Sequence, residues 1–422
     1  MNENRYAVGV DVGTSTTRVV IGTLPVDDGP AGDGALTIVG FGEQPNQGMR
    51  KGNVVDINKV ATSLDKSIGA SETMSGLNIG EGTVSINGSS LSGQSSTGLI
   101  TVDQSRPIGN NEIDRVIDAA TQVKMSPNRD IIDVTPRHFK VDDQDKVRDP
   151  IDMTGVRLEA DIYMITALKP YINSLDQVCE KALLRPSRSY VPAPLAAAQI
   201  ALTDQQKENG SILIDFGHST TGIVVYDEGD IIDIKVLPIG SNNITSDLAI
   251  GLKADLDICE KIKLEHAVAA GNLRRGGESK TTVWTGEGQS RHRHEFDTEF
   301  IDEIVEARLE ELYELINKEL KRIHRRANLP GGAVLTGGGA KLRGLVDYTK
   351  SALSMNATLY RPTGYKGVSD KLKDPAWTTA LGLLEVSADS AIDIDGQGEG
   401  TGGGLFAGLS DKLHDLFHKG DN

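Results

Sequence analysis

Two carboxylates, each followed by a run of glycine and hydroxyl side chains, have the clearest capacity for chemistry in this chain. Asp11 precedes Gly13, Thr14, Ser15 and Thr16, and Asp215 precedes Gly217, His218, Ser219 and Thr220. Apolar runs flank each group: Val8 to Val12 and Val19 to Ile21 for the first, Ile212 to Ile214 and Ile223 to Tyr226 for the second. Each reads as strand, tight loop, strand. Backbone N–H groups in such loops form anion-binding nests, and hydroxyls add donors. A carboxylate cannot take phosphate itself, but it can hold a hydrated Mg²⁺, which keeps several of its waters. Two such hairpins about two hundred residues apart predict a duplicated fold clamping one phosphate chain from both sides. A third element, VLTGGGAKL from Val334 to Leu342, reads as a strand, then Gly337, Gly338 and Gly339, then a helix start. Three residues without a Cβ let the backbone approach a flat base or a ribose.

The elements between these motifs must position them. Apolar residues from Val55 through Ile57, Val60, Leu64 and Ile68 approximate helical spacing, with Asp56 as a cap. Segment 83–161 reads as a strand from Thr83, a Ser/Gly-rich loop, a helix over Asn110–Val123, and strands over Ile131–Val141 and Val156–Ile165. After the second hairpin come two helices; Glu260 and Lys263, three residues apart, share a face of the later one. Gly271 to Arg293 reads as a hairpin with a loose loop, Glu299 to Arg326 as a long amphipathic helix, and Trp377 to Leu384 as a final helix. An acidic, Gly-rich linker then leads to LFAGLSDKLHDLFHK. There Leu405, Phe406, Leu409, Leu413, Leu416 and Phe417 form one apolar arc, which predicts an amphipathic helix lying in a membrane interface. Six such side chains bury on the order of 6–12 kcal/mol gross.

Hairpin, hairpin and Gly-rich strand-to-helix turn, in that order, resemble the actin, sugar-kinase and heat-shock-chaperone ATPase superfamily. The expected fold is therefore α/β, actin-like and ribonuclease-H-like, duplicated into two lobes. Composition narrows the partners. The 422 residues carry 44 Lys and Arg against 60 Asp and Glu, a net charge of −16, which argues against nucleic acid. Two cysteines, Cys179 and Cys259, offer neither a metal motif nor a disulfide framework and fit a reducing cytoplasm. The polar N-terminus runs directly into a strand, with no signal peptide expected.

GMRKGNVVDINKV, PIDMTGVRLEADIYMIT, LPIGSNNITSDLAIGLK, EKIKLEHA, the insert before the second hairpin and the tail together resemble FtsA, the actin-like family of bacterial cell division. That resemblance implies subdomain IA over 1–82, 162–203 and 360–386, and an SHS2-like insert IC over 83–161. It implies IIA over 204–242 and 298–359, IIB over 243–297, a linker over 387–404 and a membrane-targeting helix over 405–422. It further implies ATP and Mg²⁺ in the cleft, with Asp11, Gly13, Thr14, Ser15 and Thr16 as one phosphate loop and Asp215, Gly217, His218, Ser219 and Thr220 as the other. Asp11 and Asp215 would reach the metal through water, Glu260 and Lys263 would face ribose and adenine, and Gly337 to Gly339 the adenosine. Implied partners are the FtsZ C-terminal tail, other copies of the chain in filaments, later division proteins, and the cytoplasmic face of the membrane at the septum.

His218 and Ser219 stand where the family commonly has glycines, and either side chain could crowd the phosphates or add a donor. The FtsZ contact is expected in IIB, where Arg274, Arg275, Lys280, Arg291 and Arg293 concentrate positive charge. Ala193 occupies the position where MreB-like proteins resemble one another in having a water-positioning Glu, so weak or absent hydrolysis is expected. Other actin-like scaffolds, in pilus assembly or cell shape, and a sugar-kinase-like enzyme share parts of this pattern. No acceptor-activating Asp or sugar pocket stands out for the last.

Overall fold

The computed structural model describes residues 6–24, 35–187, 189–273, 279–285, 292–325, 328–367 and 370–393. The tail residues 405–417 and three of the five basic residues, Arg274, Arg275 and Arg291, lie outside the described residues.

The first lobe opens with β1 (Tyr6–Val12), β2 (Thr16–Thr23) and β3 (Thr37–Pro45), then a minimal hairpin of β4 (Met49–Arg50) and β5 (Asn53–Val54). Helix α1 (Ile57–Ser75) starts where the Asp56 carboxylate accepts from Lys59 N at 3.1 Å, and it stops at Gly76, whose φ of 72° caps it. Its inner face carries Val60, Leu64 and Ile68 together with Ser63, Ser67 and Ser71; these small residues let it lie close on β2 and β3. Val55, expected on this face, precedes the cap and is exposed. Strand β6 (Glu81–Ile86) then pairs in parallel with β1. It therefore belongs to the central sheet and not, as its position suggested, to the insert.

The insert follows: β7 (Ser92–Thr101), α2 (Asn110–Thr121), β8 (Arg129–Val141), β9 (Gln144–Val147) and β10 (Arg157–Leu168), in sheet order β7-β10-β8-β9. Helix α2 covers the sheet and buries Val116, Ile117 and Ala120 against Leu158, Ile162 and Met164 in a separate core. The Ser/Gly-rich stretch expected as a loop is the edge strand β7, held by ten successive pairings with β10. Strand β10 continues past 161 into residues expected in the first lobe.

The chain returns through α3 (Lys169–Lys181), which carries Cys179, then β11 (Arg185–Pro186), β12 (Val191–Pro192) and α4 (Ala193–Ala201). The second lobe comprises α5 (Asp204–Glu208), β13 (Ser211–Phe216), β14 (Thr221–Asp227), β15 (Asp230–Leu237), α6 (Ser241–Leu252) and α7 (Leu256–Glu265). A separate hairpin of β16 (Lys280–Thr285) and β17 (His292–Asp297) leads into α8 (Thr298–Arg322), β18 (Gly332–Thr336), α9 (Leu345–Leu353) and β19 (Ala357–Leu359). Helix α10 (Thr378–Asp393) crosses back to the first lobe; it reaches Asp393, well into the segment expected as linker.

The two central sheets share one plan. Their orders are β3-β2-β1-β6 with β11 and β12 on β6, and β15-β14-β13-β18-β19. In each, three antiparallel strands are followed by parallel ones. The fold is a duplicated α/β unit, as the paired hairpins predicted.

The insert bridges the lobes. Arg137 Nε and Nη2 donate to Ile231 O at 2.9 and 2.5 Å, and its guanidinium stacks 4.7 Å from the Tyr163 ring centre. Tyr163 Oη donates to Asp233 Oδ1 at 3.2 Å and accepts from Ile234 N at 3.0 Å. Arg148 pairs with Asp230 at 2.5 Å, so β15 is gripped along most of its length.

Candidate functional site

A cavity of about 460 Å³ opens between the lobes, within the size range of small-ligand sites. Fourteen of the fifteen residues expected around a nucleotide line it: Asp11, Gly13, Thr14, Ser15, Thr16, Asp215, Gly217, His218, Thr220, Glu260, Lys263, Gly337, Gly338 and Gly339. Ser219 is the exception; its Oγ is buried without a hydrogen-bond partner among the described residues.

Both loops are turns at the tips of antiparallel hairpins, anchored from outside. In the first, Asn46 Nδ2 donates to Gly13 O at 3.0 Å and Asn46 N to Ser15 O at 2.8 Å. In the second, the first N–H groups of α6 do this work: Ser241 N donates to Gly217 O at 2.9 Å and Asn242 N to His218 O at 2.7 Å. Strand β18 ends at Thr336, and Gly337, with a φ of 84°, turns the chain into a short 3₁₀ segment, Gly338–Lys341. A Cβ there would collide with the Asp215 carboxylate, whereas one at Gly338 would meet only Ala376, at 3.8 Å. The bare backbone of Gly338 thus fronts open cleft.

Asp11 is buried and accepts from Ser85 Oγ at 3.0 Å. Burial raises its pKa, opposed by Arg18 and the Ser85 hydroxyl. Asp215 is pushed up to about 7 by loss of water and then by the charge on Asp11; Thr379, at 3.5 Å, and Arg18 oppose this. Two carboxylates this poorly solvated and mutually repelling form a site that favours a cation. At the other end, Lys263 Nζ donates to Glu260 Oε2 at 2.7 Å and Thr245 Oγ1 at 2.9 Å. Burial pushes Glu260 up, but hydrogen bonds from Lys263 and Thr245 outweigh it and hold the carboxyl below its usual range. His218 beside them is held below the usual imidazole range by burial and then by Lys263, so a neutral ring faces the cleft.

Sequence reading missed further residues lining the cavity, among them Arg18, Lys341, Arg343 and Thr379. Ala193 lines it at the start of α4, whereas Gln199, further along that helix, lines a small apolar pocket with Tyr190 and Val386. Of the basic residues assigned to a partner surface, Lys280 and Arg293 both pair with Glu295, at 3.8 Å for Lys280. No cluster of three or more metal-ligating side chains exists among the described residues.

Two lobes of one topology around such a cleft define an actin-like protein. The likeness extends to solved structures: the PilM–PilN type IV pilus biogenesis complex matches with a TM-score of 0.63 at 16% identity, covering 91% of this chain and 99% of that one. An MreB of Spiroplasma citri bound to ADP matches with a TM-score of 0.53 at 11% identity, covering 94% and 100%. Sequence relatives are more specific. The cell division protein FtsA of Bacillus subtilis is 33% identical over 93% of this chain and 85% of its own length. That of Pseudomonas aeruginosa is 31% identical over 91% and 89%. The family pattern "Cell division protein FtsA" matches residues 212–382, and "SHS2 domain inserted in FTSA" matches 88–166. The chain belongs to the FtsA family of cell division proteins.

Proposed function

We propose that the chain binds Mg·ATP between its lobes and polymerises in that state on the cytoplasmic face of the membrane, where it tethers FtsZ filaments at the septum and helps recruit later division proteins. The observation carrying this is the convergence of both hydroxyl-rich loops, the Gly337–Gly339 turn and the Glu260–Lys263 pair on one cavity. The residues suit the ligand. The loops supply N–H and hydroxyl donors for phosphates. Asp11 and Asp215 would hold the metal through its bound water, and Gly338 leaves space for a flat ring. Bound there, Mg²⁺ neutralises the phosphates. The protein's part is to orient the chain between two rigid turns and to close the lobes by its higher affinity in the closed state.

Ala193 offers no group to orient an attacking water, so ATP acts mainly as a conformational and assembly ligand. No helix among the described residues is long and apolar enough to cross a membrane. Attachment falls to the apolar arc of the tail. The FtsZ tail is assigned to the IIB region, where Ile250 and Leu256 are exposed on α6 and α7 and Phe300 at the start of α8.

The deciding experiment is sedimentation on liposomes with Mg·ATP, with and without an FtsZ C-terminal peptide. The full chain is expected to sediment and to carry the peptide. A chain lacking residues 405–422 is expected to stay in the supernatant while still binding ATP. Retention of that truncated chain on liposomes would refute the membrane role of the tail.

A further inference from the structure

Arg18 occupies a position in the first hairpin that no motif announced. Strand register sets it directly opposite Asp11 on β1 and directly opposite Glu43 on β3. Opposed residues of antiparallel strands share a face, with Cβ atoms about 4.5–5.5 Å apart. The three side chains thus form an acid, base, acid row beside the cleft. Arg18 Nε and Nη2 donate to Glu43 Oε1 at 3.0 and 2.8 Å, and the guanidinium carbon stands 5.5 Å from the centre of the Trp377 ring. Lys371 Nζ lies 2.7 Å from the other oxygen of Glu43. One oxygen of Glu43 therefore holds Arg18 and the other holds Lys371. One edge of the Arg18 fork is occupied; Nη1 has no hydrogen-bond partner among the described residues, and the side chain, 16% exposed, lines the cavity.

The other cations of the cleft are committed elsewhere. Lys263 serves Glu260 and Thr245, Lys341 pairs with Asp374 at 2.7 Å, and Arg343 donates to the carbonyls of Glu265 and Ala267. We propose that Arg18 grips the phosphate chain of the nucleotide with its free edge, while Glu43, Lys371 and Trp377 hold it in position. This rests on the cleft being the nucleotide site. A planar fork anchored on one edge presents its remaining N–H groups in the geometry that phosphate oxygens accept. Glu43 is a positioning residue in this arrangement, and Arg18 the one that touches ligand.

Calorimetric titrations of the full chain with Mg·ATP and with adenosine test the assignment. Arg18→Ala is expected to weaken Mg·ATP about ten- to a hundred-fold, the loss of a charged contact, and to leave adenosine within about twofold. Arg18→Lys should recover part of the loss, because it keeps the charge and gives up the fork. Glu43→Gln should lose less than Arg18→Ala. Unchanged Mg·ATP affinity in Arg18→Ala, in a series where Asp215→Ala loses it, overturns the role of Arg18 and leaves the cleft reading intact. An equal loss for ATP and adenosine also overturns it, because that marks a distorted cleft. A parent chain that binds no Mg·ATP overturns the cleft reading itself.

Discussion

The hairpins β1–β2 and β13–β14 are two versions of one device, sharing the aspartate, the glycine two residues on and the Ser-Thr-Thr run that follows. Asp11 matches Asp215, Gly13 matches Gly217, and Thr16 and Thr17 match Thr220 and Thr221. Even the support is parallel: Thr17 accepts from Ser63 Oγ at 3.2 Å, and Thr221 Oγ1 donates to Ile239 O at 2.7 Å. Then Arg18 matches Gly222. In the first lobe this position carries a cation into the cleft. In the second it is bare, because Pro194 at the start of α4 packs where a Cβ would stand. Shared topology fixes where a loop and its carboxylate sit. What each lobe contributes to ligand chemistry depends on the neighbour packed behind it. The first hairpin is backed by Glu43 and Trp377, the second by a helix that needs room.

The largest expected effect of breaking this pairing is at Asp215. Asp215→Ala should lower Mg·ATP affinity about a hundred-fold by calorimetry, because it removes a charged acceptor for metal water without touching the core.

A second effect is on stability and follows from the raised pKa. The usual value of 3.8 applies to the unfolded chain, and the folded, nucleotide-free protein holds its proton up to about 7. Between these limits the folded state binds more protons, so stability falls as pH rises through that window and is level above it. Asp215→Asn should flatten the slope and raise stability at pH 8 by about 1–3 kcal/mol, read from urea denaturation in EDTA. A parallel slope in parent and variant would break the account.

Smaller is Gly222→Ala, expected to cost about 1–2 kcal/mol through overpacking against Pro194. Arg18→Ala, at the matching position, should change the stability of the nucleotide-free protein by less than about 1 kcal/mol. Thermal melts of the two variants side by side measure the contrast. The smallest effect is expected at Ala193: Ala193→Glu should hydrolyse ATP no more slowly than the parent, whose turnover a coupled assay should place well below tens per second.

Which of these features the sequence disclosed follows from how local their signals are. The loops were legible because Asp-x-Gly followed by hydroxyl residues between apolar runs is a pattern of seven residues. The cap at Asp56 and the pairing of Glu260 with Lys263 are equally short-range. Arg18 was not legible, since its role is set by two registers and by Trp377, distant in sequence. Strand β7 was hidden by its composition: SGQSSTGLIT has little strand propensity, and pairing with β10 imposes the conformation. β6 was recognised as a strand, but alternation does not say which sheet a strand joins. The end of α10 was missed because ADSAID lacks an apolar stripe.

Helix α10 has a consequence for how the chain is made. It lies against β1 so closely that a Cβ at Gly9 would strike the backbone of Ala380, and Trp377, Leu381 and Leu384 close one core over Ala7 and Val20. Strand β1 therefore leaves the ribosome well before the helix that covers it, the last one described. At bacterial elongation rates that interval is on the order of tens of seconds. During it the second lobe, contiguous from β13 to β19, can complete its own core, while one face of β1 and β2 stays bare. Chain order thus favours folding of the second lobe ahead of the first.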